Sequence, residues 1–174
     1  MFKSIVVATD GSVHAEHAVK VGCELAGKFQ AKLTFVHVLG NGPVPSGFEH
    51  WAQMEHLANR STNESPMVEN IAGNLSVAES GGDSKAYQFR LREIAGEQII
   101  KQARQKAKQA GITGVKDYIV SGNPADCIVA RAQTEDADLI VMGTRGLSTT
   151  KGLLMGSVSS KVCKIADSVC MTVK

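Results

Sequence analysis

Strand-like and helix-like patterns alternate along this chain from its first residues, and that alternation limits the folds open to it. Ser4–Ala8 (SIVVA) is a short β-branched apolar run that stops at Asp10-Gly11-Ser12. Small and apolar residues then recur at Ala15, Ala18, Val19, Gly22, Leu25, Ala26 and Phe29, the spacing of a helix with Ser12 as its N-cap. Residues 32–38 (KLTFVHV) are a second strand pattern. Strand, helix and strand in that order make a βαβ unit with parallel strands and a right-handed crossover.

The pattern stops between residue 40 and about residue 84, where Pro43, Pro45 and Gly47 are followed by NRSTNES and ESGGDS, the chemistry of turns and linkers. A short amphipathic stretch around Phe48, Trp51, Met54, Glu55 and Ala58 fits a helix inside it. So long a loop is unusual in a compact domain, and the sequence leaves open whether it is a lid, a partner-binding arm or decoration. Residues 85–110 read as a long helix with Leu91, Ile94, Ala95, Ala103 and either Gln98 or Ile99 on the buried stripe, closed by Gly111. A third strand at 117–120 ends in Ser-Gly-Asn-Pro, and a helix starting near Pro124 turns Ile128, Val129 and Ala132 inward. Residues 138–142 (DLIVM) are almost wholly apolar, as in a strand covered on both faces. A helix at 157–166 and a last strand, Val169–Val173, complete the chain. The sum is one α/β domain over residues 1–174, a doubly wound, five-stranded parallel sheet with helices on both faces. Ligands of such sheets sit at the carboxyl ends of the strands, where Asp10, Val38, Gly122 and Gly143 fall.

A length of 174 residues, 43% of them apolar and 21% charged, suits a single soluble core. The formal net charge of +2 gives no reason to expect nucleic acid or an anionic membrane as the main partner. No apolar run approaches the roughly 18 to 20 residues that span a bilayer. MFKSIVVATD enters a strand without a signal-peptide cleavage region, so the expected location is cytoplasmic. Cys23, Cys127, Cys163 and Cys170 form no CxxC pair and read as small buried hydrophobes. His14 and His17 share a helical face without a third ligand and read as surface residues, and His37 as a packed histidine.

The stretch that carries chemistry runs from Gly143 to Ser157. Gly143 and Gly146 follow the buried strand and permit a tight turn with close backbone approach to a ligand. After nine intervening residues, Gly156-Ser157 opens a helix, whose first amides lack internal partners and whose dipole favours an anion. Ser157 and Ser159 add hydroxyls, and Arg145 between the glycines adds a charge suited to phosphate. The loop is not a Walker A motif, because Lys151 is followed by Gly152, and no GxGxxG follows the first strand.

The Gly-x2-Gly-x9-Gly-Ser spacing after DADLIVMGTRG, together with IVVATDGS at 5–12, FVHV at 35–38 and SGNPADCIV at 121–129, resembles the ATP-binding universal stress proteins. The resemblance covers nearly the whole chain outside residues 40–84. It implies their adenine nucleotide alpha hydrolase-like fold and a site for ATP, ADP or AMP with Mg²⁺. Thr9 and Asp10 would lie near the ribose or the phosphate-bound metal, with Asp10 as the metal's carboxylate, and Val38 would meet the adenine through its backbone. Met142, Gly143, Arg145 and Gly146 would line ribose and phosphates, while Gly156, Ser157, Val158 and Ser159 would wrap the phosphate tail. A homodimer through Cys170, Met171, Thr172 and Val173 is also implied, although Asp167-Ser168-Val169-Cys170 lacks the proline common at the start of that strand.

The function expected is a nucleotide-binding regulatory or protective module in a stress response. Two alternatives stay open. A slow Mg²⁺-dependent ATPase or phosphotransferase would need an oriented water, and no glutamate, glutamine or histidine is evident at a strand end to hold one. A nucleotide-independent interaction dimer would leave the glycine motif without a purpose.

Overall fold

The computed structural model describes residues 1–40, 69–70, 82–147 and 155–174. The β-branched run at the start forms β1 (Ser4–Ala8), buried at all five positions. Ser12 caps α1 (Val13–Phe29), its side chain accepting from the amide of Ala15, and Gln30 closes the helix in the left-handed conformation. Next come β2 (Lys32–Leu39), a two-residue β3 (Glu69–Asn70) and α2 (Gly82–Gln109). The chain continues through β4 (Lys116–Ser121) and α3 (Pro124–Thr134), which Asn123 caps from the turn before it. It finishes with β5 (Leu139–Gly143), α4 (Ser157–Ile165) and β6 (Val169–Val173).

The sheet order is β3-β4-β2-β1-β5-β6 and every pairing is parallel. All five expected strands are present, and β3 adds a short edge strand beside β4. The chain builds outward from β1 through β2 to β4, then crosses back to place β5 on the other flank of β1. That reversal puts the switch point between the tips of β1 and β5, where Ala8 pairs with Met142.

Alternation along the strands divides the core in two. Ile5, Val7, Phe35, Leu139 and Val141 face α1 and α2, meeting Ala18, Val19, Ile100, Ala103 and Ala107. Val6, Ala8, Val36, Ile140 and Met142 face α3 and α4, meeting Ala125, Ile128, Ala132 and Val162. Helices therefore cover both faces, as two-sided apolar strands require. α1 approaches β1 so closely that a Cβ on Gly22 would collide with Val7.

The stripe on α2 differs from expectation. Ile100, Ala103 and Ala107 belong to the core, while Ile99 is only half-buried and Gln98 is not part of it. Leu91, Ile94 and Ala95 are buried as expected, yet at about 100° per residue they lie on nearly the opposite side of the helix. One helix thus carries two stripes, and a single-period reading merges them. The cysteine reading also needs correction, since Cys23 and Cys127 are buried but Cys163 is exposed and Cys170 half-buried. The expected helix around Trp51 lies outside the described residues. Among those residues, no helix is long and apolar enough to cross a membrane.

Candidate functional site

At the tip of β1 the backbone of Thr9 donates to Val36 O at 2.9 Å, and its carbonyl accepts from His37 Nδ1 at 2.8 Å. Burial holds His37 below its ordinary titration range, so the ring is neutral with its proton on Nδ1. Gly96 of α2 packs so tightly on the ring that a Cβ there would sit 2.8 Å from Cδ2. His37 is therefore the packed histidine that its strand position indicates. It fixes the turn that follows.

That turn aims Asp10 across the switch point. One carboxylate oxygen accepts from the Ser12 amide at 3.0 Å, the other from the Leu147 amide at 3.0 Å. Gly11 supplies a positive φ of 78° between them. Ser12 Oγ reaches Arg145 O at 3.3 Å, so two side chains after β1 hold the loop after β5. A Cβ on Gly146 would collide with the Asp10 carboxylate, which explains glycine there better than conformational freedom does. At Gly143 a Cβ would lie 2.9 Å from the backbone of His14 and Ala15, so its absence lets the first turn of α1 approach the tip of β5.

Thr144 connects these parts. Its amide and its hydroxyl both donate to Val173 O, at 2.7 and 3.1 Å. The hydroxyl then accepts from His14 Nδ1 at 2.9 Å. Its carbonyl accepts from the Gly156 amide at 2.7 Å and from Ser159 Oγ at 2.9 Å. Nothing local marks Thr144, His14 or Ser12 as a set, because only the fold brings them together.

Gly156 opens α4 with no side-chain cap, and Ser157 and Val158 are exposed beside it. Ser159 is buried, its hydroxyl engaged by Thr144 O and Gly156 O, so its backbone amide is what it can offer a ligand. Arg145 is half-buried and Gly146 exposed. Met142 packs its side chain into the core and can reach a ligand only through its backbone. Val38 is half-buried at the end of β2 beside Val120. Residues 148–154 of the loop lie outside the described residues. The expected site residues thus gather at the tips of β1, β2 and β5 and the start of α4. Among the described residues, no three His, Cys, Asp or Glu side chains are placed to hold a metal, and Asp10 supplies one carboxylate.

A doubly wound parallel sheet with its switch point between the tips of β1 and β5, and with the start of α4 tied to the residue after β5, defines the chain as an α/β domain. The model of the universal stress protein family matches residues 1–174, and the chain belongs to that family. It is 31% identical over 173 residues to the universal stress protein of the QAH/OAS sulfhydrylase 3′ region of Thermus aquaticus, across 98% of this chain and 96% of that protein. It is 28% identical over 166 residues to universal stress protein YxiE of Bacillus subtilis, across 95% of each chain. A universal stress protein solved in complex with cAMP aligns with a TM-score of 0.63 at 25% identity, across 99% of this chain and 97% of that one.

Proposed function

We propose that this chain binds an adenine nucleotide at the carboxyl ends of β1, β2 and β5, with MgATP as the form the long loop suits best. Its bound state would be read by a partner in a stress response, without fast turnover. The observation that carries the reading is the pairing of the loop after β5, held by Asp10 and Ser12, with the uncapped terminus of α4 at Gly156. Backbone amides there, oriented with a helix dipole, bind phosphate without reorganising. The cAMP-bound relative supports an adenine nucleotide as the ligand class.

In this reading Thr9 and Val38 border the base and ribose, Met142 to Gly146 line the ribose and phosphates, and Gly156 to Ser159 hold the phosphate tail. Mg²⁺ is commonly bound by one or two carboxylates plus phosphate oxygens. Asp10 fits that role through the lone pairs its two amide contacts leave unused. The ion would neutralise phosphate charge. The buried, neutral His37 commits its Nδ1 proton to Thr9 O, an engagement that favours binding over hydrolysis in this reading. β6 stands at one edge of the sheet, in keeping with a homodimer through Cys170 to Val173.

Thermal melts of nucleotide-stripped protein with MgATP, ADP, AMP and cyclic AMP test the reading. A ligand at about 100 times its dissociation constant adds roughly 2.7 kcal/mol. A shift with MgATP that disappears in a folded Gly156→Val variant is the expected result. No shift with any of the four would sink the nucleotide reading and bring the interaction dimer forward.

A further inference from the structure

Two cysteines meet in a corner of the fold that the nucleotide reading does not use. Cys163 stands on the last turn of α4 and is exposed, while Cys170 is the second residue of β6 and half-buried. Cys170 packs against the core layer that contains Val162, the neighbour of Cys163 on α4. Its Sγ donates to Ser168 O at 3.6 Å; α4 packs on β6, and Cys163 is the thiol that neighbours Cys170 there. Cys23 and Cys127 are buried in different core layers, on opposite faces of the sheet.

We propose that Cys163 and Cys170 are a dithiol pair that a peroxide closes to an intramolecular disulfide, fastening the carboxyl end of α4 to the edge strand β6. The exposed Cys163 meets the oxidant first. Its thiolate attacks one peroxide oxygen, the O–O bond breaks, and hydroxide leaves and is protonated to water, giving a sulfenic acid. The Cys170 sulfur then attacks the Cys163 sulfur, the S–O bond breaks, and a second water carries off the oxygen with the Cys170 proton. Two thiols are oxidised by two electrons and one peroxide is reduced to two waters. Burial first, and the Cys163 thiol second, push Cys170 up to about 11. Since the thiolate is the attacking form, the closing step is slow at neutral pH and quickens as pH rises. Opening by a reducing thiol reverses it. The pair is independent of the nucleotide site, so either proposal can fail alone.

Sequence makes the test direct, because trypsin cuts after Lys161 and Lys164 and leaves Cys163 in peptide 162–164 and Cys170 in peptide 165–174. The folded, reduced full-length chain is treated with hydrogen peroxide, remaining thiols are blocked, and the digest is read by mass spectrometry. The expected product joins the two peptides, forms faster at higher pH, and separates on reduction. It is absent from Cys163→Ser and from Cys170→Ser but kept in Cys23→Ser and Cys127→Ser. Sulfinic acid on Cys163 with no joined peptide would overturn the proposal. So would a Cys163–Cys163 link between two copies as the sole product, or a joined peptide that appears only in denaturant.

Discussion

Asp10 holds two backbone amides with one carboxylate, and this double duty decides what its replacement should do. Charged hydrogen bonds of this kind contribute about 1.5–3 kcal/mol each. Asp10→Asn keeps an oxygen acceptor for one amide but removes the charge available to Mg²⁺. It should therefore lower ATP affinity more in the presence of Mg²⁺ than without the ion, where only the one lost amide bond counts. Asp10→Ala releases Ser12 and Leu147 together and should weaken ATP about tenfold or more even in Mg²⁺-free buffer, since each 1.4 kcal/mol is a factor of ten. Calorimetric titration with and without Mg²⁺ separates the two roles, and equal losses in Asn and Ala under both conditions would refute the loop-holding one. His37 makes a pH prediction of the opposite chemical kind. Its folded titration point is lowered by burial, so between that point and the ordinary value near 6.5 the unfolded chain binds the extra proton. Stability then falls as pH drops below about 6.5 and is unaffected by this group above it. His37→Asn, which can still donate to Thr9 O, should flatten that part of a melting-temperature profile.

Between elements, Thr144 is the junction through which the loop, α1, α4 and β6 hold one another. Thr144→Val keeps the shape and the backbone bonds but removes the hydroxyl that joins His14 to Val173. The expected cost is about 1–3 kcal/mol for a buried donor and acceptor left without partners. Hydrogen exchange should show the consequence for coupling. Saturating MgATP should slow exchange in β6 of the native chain and leave β6 of Thr144→Val nearly unchanged. Equal slowing in both would mean that the Thr144 backbone alone transmits the effect. None of this junction was legible in the sequence, because the hydroxyl meets partners 130 and 29 positions away. The five strands, the cap at Ser12 and the helix start at Pro124 were legible, since each is set by neighbours a few residues apart. The α2 stripe falls between these cases. Its period is local, but which side faces the sheet depends on Gly96 packing against His37 and Leu39. At Gly146 the sequence indicates a tight turn and close approach to a ligand, and the structure adds a reason that sequence does not show, the Asp10 carboxylate from the opposite end of the chain.

On the scale of the whole molecule, β6 is the last strand of the sheet among the described residues, and exposed strand edges pair readily with another chain. The hydrogen-bond pattern says which of its groups are available. Val169 donates to Asp138 O and Val173 accepts from Thr144, so the backbone groups of 169, 171 and 173 face β5. Those of Cys170 and Thr172 face outward, because direction alternates along a strand. Proline at 172 therefore removes an outward amide and leaves the ladder to β5 intact, the one setting in which a strand tolerates it. If two copies pair through this edge, the native chain should sediment at twice its 18.4 kDa, and Thr172→Pro should sediment as a monomer with an unchanged circular dichroism spectrum. Thr172→Val, which keeps the amide and the strand propensity, should remain dimeric. A Thr172→Pro variant that is folded and still dimeric would place the subunit contact on another surface, and β6 would then need a different cover for its open edge.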